Sequence, residues 1–277
     1  MGARKSTLVL LLLVISIPAV LAQGTGVQVV TVPSLAVTGE NLQLPGILHK
    51  PSGDGPFPAV VLLVGCEGIA HPDTDPPDTK AQAEWFDRLV GWGYVALEVD
   101  SFSPRGHYSV CDNTGVVNAD MRSHDAFAAK AYLSKLSFVD PKNIGVMGWS
   151  HGGWSLMRVI DAAFRDQSLS PFKVAVGFYP YCQPLVYPDT PLLVLIGRKD
   201  DWCPAALAES LGKEYKNWGW KPELALTVYP SSTHAFDVDW GKGGFTFGEH
   251  HMDYDEQATA DAISRTKAFL AKYLQSK

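Results

Sequence analysis

The sequence has few charged residues and no cluster of basic ones. Charged side chains make up 19% of its 277 residues, and the net charge is −6. This balance argues against nucleic acid and anionic membrane surfaces as partners. The four cysteines contain no CxxC spacing, so no metal or redox motif is predicted, and no cofactor is expected. Repeats and linkers are also missing, which favours a single globular domain.

The one long hydrophobic run lies at the N-terminus. Arg4 and Lys5 precede an apolar segment that continues to Leu21. This order predicts a secretory signal peptide over residues 1–22 and a single mature domain over residues 23–277. The run is too short to span a bilayer comfortably, which needs about 20 apolar residues, so an uncleaved anchor is the less favoured alternative. We expect a secreted or periplasmic protein that leaves the membrane after cleavage.

Short apolar segments alternate with amphipathic ones along the rest of the chain. The predicted strands are Val27–Val32, Leu42–His49, Ala59–Val64, Tyr94–Val99, Ile144–Met147, Val174–Phe178, Leu192–Ile196 and Glu223–Tyr229. The predicted helices are Thr79–Trp92, Asn118–Leu136, His151–Phe164, Pro204–Trp218 and Asp255–Tyr273. Such alternation predicts an α/β fold with a mostly parallel central sheet, helices on both faces, and ligands at the carboxyl ends of the strands.

A G-x-S-x-G motif stands between one of these strands and the helix that follows it. The strand ends at Met147, and the motif runs from Gly148 through Ser150 to Gly152. A serine in a sharp strand-to-helix turn projects its hydroxyl above the sheet, and glycines on either side leave room for the neighbouring strand and helix. We therefore predict that Ser150 is a catalytic nucleophile.

An acid and a histidine follow this serine in the order that the nucleophile motif requires. Asp200 comes after the strand Leu192–Ile196, and His234 comes after the next strand. A serine hydroxyl needs a base to take its proton, and the base needs a third group to orient it. The sequence therefore predicts a Ser150–His234–Asp200 triad. Asp201 is the alternative acid, although its position also suits a solvated charge near a helix start.

Two backbone N–H groups are candidates for stabilising the oxyanion that forms when the serine attacks a carbonyl. One belongs to His151, which directly follows the nucleophile. The other is expected in the loop after Ala59–Val64, where Cys66 is the first choice and Glu67 the alternative. The His151 side chain itself is not expected to be catalytic.

The sequence resembles the dienelactone hydrolase family of α/β-hydrolases, and in particular its secreted branch with a serine nucleophile. The matching stretches are Val60–Gly68, Val99–Gly106, Ile144–Gly153, Phe178–Cys182, Gly197–Pro204 and Tyr229–Phe236. The resemblance covers essentially the whole predicted mature domain. It implies an α/β-hydrolase fold and an ester or lactone hydrolase that uses the triad named above.

The resemblance also bears on which substrate the protein accepts. Founding members of the family use a cysteine nucleophile and hold a substrate carboxylate with two arginines. Arg105 matches one of these arginines and is a candidate substrate-binding residue, whereas Val238 stands where the second would be. A neutral ester is therefore a better substrate candidate than dienelactone.

Aromatic residues near the predicted site are candidates for the substrate pocket, with core packing as the alternative for each. These residues are Tyr108, Trp149, Tyr181, Trp202 and Phe236.

Four cysteines in an exported chain suggest disulfides, for which three pairings exist. Cys66 and Cys111 follow adjacent strands, and Cys182 and Cys203 follow the next two strands at the same edge. We therefore predict Cys66–Cys111 and Cys182–Cys203 bonds.

Two adjacent histidines, His250 and His251, resemble a metal site at first sight. Neighbouring residues in an extended segment point to opposite faces, so these two side chains are badly placed to share one ion. We expect a solvated loop near the pocket mouth instead.

Together these features predict a secreted serine esterase that acts on a small ester or lactone. A dienelactone-type lactone hydrolase is the alternative within the same family. A non-catalytic binding protein of the same fold is the alternative from another class, and a peptidase is less favoured because no separate lid or propeller domain is evident. The oligomeric state does not follow from the sequence.

Overall fold

The structure, a computed structural model, describes residues 26–69, 79–239 and 242–274, so the predicted signal peptide lies outside the described residues. The strands there are β1 (Gly26–Pro33), β2 (Gln43–Lys50), β3 (Phe57–Leu63), β4 (Val95–Val99), β5 (Val139–Trp149), β6 (Ala175–Phe178), β7 (Leu192–Gly197), β8 (Leu224–Tyr229), β9 (Phe245–Phe247) and β10 (His250–Met252). The helices are α1 (Thr79–Gly91), α2 (Ala119–Leu133), α3 (His151–Val159), α4 (Ala205–Trp218) and α5 (Glu256–Tyr273).

Eight strands form one sheet in the order β1-β2-β4-β3-β5-β6-β7-β8. The pairs β1–β2 and β2–β4 are antiparallel, and all pairs from β4 to β8 are parallel. The predicted α/β-hydrolase fold class, with a mostly parallel sheet, is confirmed. The alternation of strands and helices did not reveal the antiparallel edge. It describes strands that are connected by helices, whereas β1 and β2 are connected by a short turn, which pairs them antiparallel.

The central strands are buried at consecutive positions. Every residue of β7 is buried, as is every residue of β3 after Phe57. Successive side chains of a strand point to opposite faces, so both faces of the sheet must be covered in this region. The edge strand β1 contrasts with them, since Val27 and Val29 are largely exposed. The core therefore fixes the carboxyl ends of β5 to β8, where the predicted site residues lie.

Several boundaries differ from the sequence prediction, among them the start of β5, which lies at Val139 rather than at Ile144. Helix α3 ends at Val159 rather than at Phe164, because the buried Asp161 carboxylate accepts backbone hydrogen bonds from Val186 (2.6 Å) and Tyr187 (2.8 Å) and holds the chain in a turn. The predicted loop around His250 is instead a hairpin of β9 and β10.

Among the helices of the described residues, none has both the length and the apolar composition that a membrane span requires.

The predicted Cys66–Cys111 disulfide is present. It joins the loop after β3 to the loop between β4 and α2. The Cys66 carbonyl oxygen also accepts hydrogen bonds from the Val110 N–H (2.8 Å) and the Ser109 hydroxyl (3.2 Å). The bond therefore fixes two active-site-end loops to each other.

The predicted Cys182–Cys203 disulfide is wrong, because both cysteines are free thiols. They are 3% and 5% exposed, respectively. Burial raises the pKa of the Cys182 thiol to about 12 and also raises the pKa of the Cys203 thiol. Oxidation proceeds through a thiolate, which burial disfavours at both positions. Burial of this kind could not be deduced from the positions of the cysteines in the sequence.

Removing the disulfide should destabilise the protein. The bond closes a loop of 45 residues, so the double variant Cys66→Ser/Cys111→Ser should lose about 3–4 kcal/mol of unfolding free energy in the chain-entropy model. Urea denaturation measures this loss, and thiol titration of the unreduced, unfolded protein should find only Cys182 and Cys203. An unchanged urea midpoint in the double variant would contradict the assignment.

Candidate active site

Ser150 lies in a strained turn between β5 and α3. Its backbone has φ 50° and ψ −113°, a left-handed conformation that is unfavourable for a residue with a side chain. The turn is tightly packed: a Cβ at Gly152 would lie 1.9 Å from the Leu63 carbonyl oxygen, and one at Gly148 would lie 2.5 Å from the Gly152 oxygen. Both glycines are therefore required by close backbone contacts, as the motif predicts.

The three predicted triad residues lie within hydrogen-bonding distance of one another. His234 Nε2 is 2.9 Å from Ser150 Oγ, and His234 Nδ1 is 2.8 Å from Asp200 Oδ2. With Nδ1–H donating to the carboxylate, Nε2 is left as the acceptor for the serine hydroxyl. The imidazole is 2% exposed and Asp200 is 5% exposed. This arrangement orients a base toward an alcohol in an environment that largely excludes water.

The acid and the base are held together by backbone contacts between the loops after β7 and β8. The Lys199 N–H donates to the Ser232 carbonyl oxygen at 2.9 Å. A Cβ at Gly197 would lie only 2.3 Å from that oxygen, so the loops pack as closely as a glycine allows. This contact places Asp200 opposite His234.

The two neighbouring aspartates have different partners. Asp200 Oδ1 accepts backbone hydrogen bonds from Trp202 (3.0 Å) and Cys203 (2.7 Å), which leaves Oδ2 for His234. Asp201 instead faces the hairpin of β9 and β10, where its carboxylate lies 3.2 Å from His250 Nδ1 and accepts from the His251 N–H at 3.3 Å. The hydrogen bonds therefore favour Asp200 as the triad acid, and Asp201 fastens the hairpin.

Aromatic rings enclose the histidine. The ring centroids of Tyr179 and Trp202 lie 4.6 and 5.2 Å from that of His234. His250 in turn stacks on Trp202 at 4.4 Å, and Phe247 stacks at 5.7 Å. The hairpin thus extends the aromatic wall of the site.

The predicted oxyanion residues lie beside the nucleophile. His151 begins α3, where the first backbone N–H groups have no partner within the helix and carry the positive end of its dipole. Cys66 lines both cavities that contain Ser150, whereas Glu67 lines only one of them. This placement favours Cys66 as the second donor and leaves Glu67 as the alternative.

Arg122 connects these two oxyanion segments and was missed by sequence reasoning. Its side chain is fully buried, and its guanidinium donates to the Val64 carbonyl oxygen and to His151 Nδ1, each at 2.8 Å. Because Nδ1 accepts, the His151 ring carries its proton on Nε2, which donates to the Thr114 carbonyl oxygen at 3.2 Å. Burial, together with the Arg122 charge, lowers the pKa of His151 to about 3, so this ring stays neutral. Nothing in the local sequence around Arg122 indicates this role.

Two cavities meet at Ser150. One of about 130 Å³ is lined by Trp149, Trp202 and hairpin residues, and the other, of about 270 Å³, is lined by Tyr181, Trp202 and Trp154. Three of the predicted pocket aromatics, Trp149, Tyr181 and Trp202, therefore lie where a substrate would bind.

The other two aromatic candidates lie elsewhere. Phe236 is fully buried and packs on Tyr229 and Phe178, so it belongs to the core. Tyr108 is largely exposed.

Arg105 does not line the described cavities at Ser150, which corrects its prediction as a substrate-binding residue. Its guanidinium pairs with Glu40 (2.6 Å) and Asp125 (2.8 Å) and donates to the Ser101 carbonyl oxygen. These hydrogen bonds hold the surrounding loops together and occupy the N–H groups of the guanidinium.

Asp237 is a second residue that sequence reasoning missed. It accepts hydrogen bonds from the Tyr179 hydroxyl (2.8 Å), Trp149 Nε1 (3.3 Å) and Trp85 Nε1 (3.4 Å). Burial raises the pKa of this carboxyl, and the three donors oppose that shift. Asp237 therefore fixes the aromatic residues next to the nucleophile.

Within the described ranges, the group that brings three potential metal ligands together comprises Cys66, Glu67 and Cys111. The sulfurs of the two cysteines are bonded to each other, so they are not available as thiolate ligands.

The chain is similar in sequence to known proteins. The sequence model of the dienelactone hydrolase family matches residues 44–274. A Synechocystis sp. protein named "Putative carboxymethylenebutenolidase" is 25% identical over 260 residues, which cover 84% of this chain and 93% of that protein.

Solved structures share the fold. The Klebsiella pneumoniae "Putative Dienelactone Hydrolase" superimposes with a TM-score of 0.67 at 17% identity, covering 90% of this chain and 100% of that one. Thermogutta terrifontis esterase 2, solved after phosphorylation by paraoxon, gives a TM-score of 0.61 at 19% identity, covering 91% and 96% of the two chains.

The close packing of the turn can be tested by adding one methyl group. Gly152→Ala should lower the free energy of unfolding by about 2–3 kcal/mol or prevent folding, because the new Cβ overlaps the Leu63 carbonyl. Gly212→Ala in α4 is the matched control, since its Cβ would only contact Leu226 at 3.8 Å. The control should be neutral or more stable, as alanine favours helices. Equal stability of the two variants in urea denaturation would show that the turn is packed differently.

Proposed function

Because this chain belongs to the dienelactone hydrolase family, we propose that it is a secreted carboxylic ester hydrolase that forms an acyl-enzyme on Ser150. The observation that carries this proposal is the continuous chain of hydrogen bonds from Ser150 Oγ through His234 to Asp200.

In the first half of the reaction, His234 Nε2 takes the hydroxyl proton as Ser150 Oγ attacks the substrate carbonyl carbon. The resulting imidazolium is stabilised by Asp200, whose carboxylate already accepts from Nδ1. The same imidazolium then protonates the leaving alcohol, which departs and leaves the acyl group on the serine. In the second half, His234 deprotonates a water molecule that attacks the acyl carbon and releases the acid.

The negative charge on the carbonyl oxygen would be stabilised by the backbone N–H groups of His151 and Cys66. Removing one such donor costs about 3–4 kcal/mol in comparable enzymes, so the donors must be held rigidly. The disulfide holds the Cys66 segment, and Arg122 ties it to His151 through the Val64 carbonyl oxygen. Rigid placement of this kind avoids reorganisation during the reaction.

A small ester without a carboxylate is the substrate class that the cavities favour. The cavities on either side of Ser150 are lined largely by aromatic and apolar groups, and neither contains Arg or Lys among its described residues. Arg105 is already ion-paired elsewhere. Substrates with a free carboxylate, such as dienelactone, would therefore lack a charged partner.

Secretion rests on the N-terminal sequence and on the cysteines. The basic residues and apolar run of residues 1–22 have the composition of a signal peptide. A structural disulfide is typical of proteins that fold in an oxidising compartment.

Loss of the nucleophile should abolish turnover without unfolding the protein. Ser150→Ala should reduce kcat on short-chain nitrophenyl esters by at least about 10⁴-fold. Its melting temperature should stay close to that of the wild type, and Ser168→Ala on an exposed loop is the control. Retention of full activity in the Ser150→Ala protein would remove Ser150 as the nucleophile, whereas no hydrolysis by the wild type would favour a binding protein of the same fold.

The two aspartates can be separated by conservative substitution. Asp200→Asn should lower kcat by about 10³–10⁴-fold, because an amide no longer stabilises the imidazolium or its tautomer. Asp201→Asn, outside the chain of hydrogen bonds, should change kcat by less than about tenfold, with its main effect on KM through the hairpin. Steady-state kinetics on one ester decide between them, and a larger kcat loss in the Asp201 variant would reverse the assignment.

A further inference from the structure

A third cavity of about 50 Å³ adjoins the first of the two described above, and we call it the acidic chamber. Its walls include three carboxyl groups and three aromatic rings: Glu67, Glu98, Asp237, Trp85, Trp149 and Tyr179. It shares Glu67, Trp149 and Tyr179 with the cavity that contains Ser150. The acidic chamber is therefore an extension of the proposed active-site cleft.

Glu98 differs from Asp237, whose carboxylate already accepts three side-chain hydrogen bonds. Glu98 belongs to β4, is 1% exposed, and its Oε1 has no hydrogen-bond partner among the described residues. A buried carboxyl oxygen without a donor costs free energy, so such groups commonly mark ligand sites.

No cationic side chain of the described residues forms an ion pair with Glu98. Burial, with Glu67 and Asp100 nearby, raises the pKa of Glu98 to about 8, and only Arg122 acts in the opposite direction. The Arg122 guanidinium donates to Val64 and His151 instead. None of the described residues that line the acidic chamber is Arg or Lys. A cation bound in the acidic chamber would therefore stabilise the ionised form of Glu98.

We propose that the acidic chamber binds a primary ammonium group, so that the enzyme's substrates are esters that carry an amine. An ammonium has N–H donors for Glu98 Oε1, and aromatic rings such as those of Trp85 and Trp149 favour a cation beside them. The size also fits: one water-sized group needs about 10–15 Å³ on this scale, so the acidic chamber holds an ammonium and two or three methylene groups. This inference rests on the proposed ester hydrolysis at Ser150.

Binding is tested first without turnover, in the Ser150→Ala protein. Calorimetry should show that n-butylammonium binds and that n-butanol, which has the same length but no charge, binds at least tenfold more weakly. Tetramethylammonium, which lacks N–H donors, should also bind more weakly. The Kd of n-butylammonium should fall about tenfold between roughly pH 7 and pH 9, because the acidic form of Glu98 loses its proton across this range.

Glu98→Gln keeps the side-chain shape but cannot become negatively charged. In this variant the affinity for n-butylammonium should fall and its pH dependence should disappear. Glu209→Gln on the surface of α4 removes the same charge away from the acidic chamber and serves as the control. No detectable n-butylammonium binding, or equal binding in the two variants, would overturn the proposal. The binding comparison of the charged and neutral ligands keeps the test decisive even where a variant fails to fold.

Hydrolysis then shows which part of the ester carries the amine. Methyl ω-aminopentanoate, methyl hexanoate and monomethyl adipate have cationic, neutral and anionic acyl chains of similar length. The ω-aminobutyl ester of acetic acid and its neutral counterpart, n-pentyl acetate, place the same difference on the alcohol. We expect kcat/KM at least tenfold higher for the cationic member of one set, and Glu98→Gln should remove this preference.

The two proposals fail differently. Hydrolysis of the neutral esters with no preference for either amine would refute the acidic chamber and leave the proposed function intact. Binding of n-butylammonium without hydrolysis of any ester would refute the proposed function and with it this substrate assignment.

Discussion

The hydrogen bond between His234 and Ser150 is the interaction on which the rest of the site depends. It joins a side chain after β8 to one after β5, and it exists because both strand ends are fixed within the same buried sheet. The strained Ser150 backbone holds the hydroxyl above the sheet, and the close contact at Gly197 holds the acid behind the histidine. Stability of the core and geometry of the site are therefore one property of the fold.

A second set of contacts holds the groups that would face the reacting carbonyl. Arg122, the Cys66–Cys111 disulfide and the neutral His151 ring connect three segments that are far apart in the sequence. Arg122 acts through charge-assisted hydrogen bonds, the disulfide through a covalent bond, and the His151 ring through a hydrogen bond that its fixed tautomer donates. An oxyanion site assembled from backbone N–H groups needs this support, because the donors must keep their positions while charge develops on the substrate oxygen.

Sequence reasoning predicted the fold class and the placement of the triad, because both follow from the order of strands and the residues at their ends. The prediction failed for residues whose contacts depend on how distant segments pack in three dimensions. Arg105 matches a substrate-binding arginine of the family, yet its guanidinium forms ion pairs with two neighbouring carboxylates. Phe236 follows the histidine closely, yet its side chain turns into the core. Cys182 and Cys203 follow neighbouring strands but remain buried thiols, and no local pattern marks Glu98 as a buried acid without a donor.

The most direct measurement of the central claim is to capture the covalent intermediate. The protein is mixed with a nitrophenyl ester, quenched with acid during turnover, digested and mapped by mass spectrometry. The account predicts an added acyl mass on the peptide that contains Ser150, and none on that peptide in the Ser150→Ala protein. Hydrolysis at full rate with no acylated peptide, or acylation confined to another residue, would contradict it.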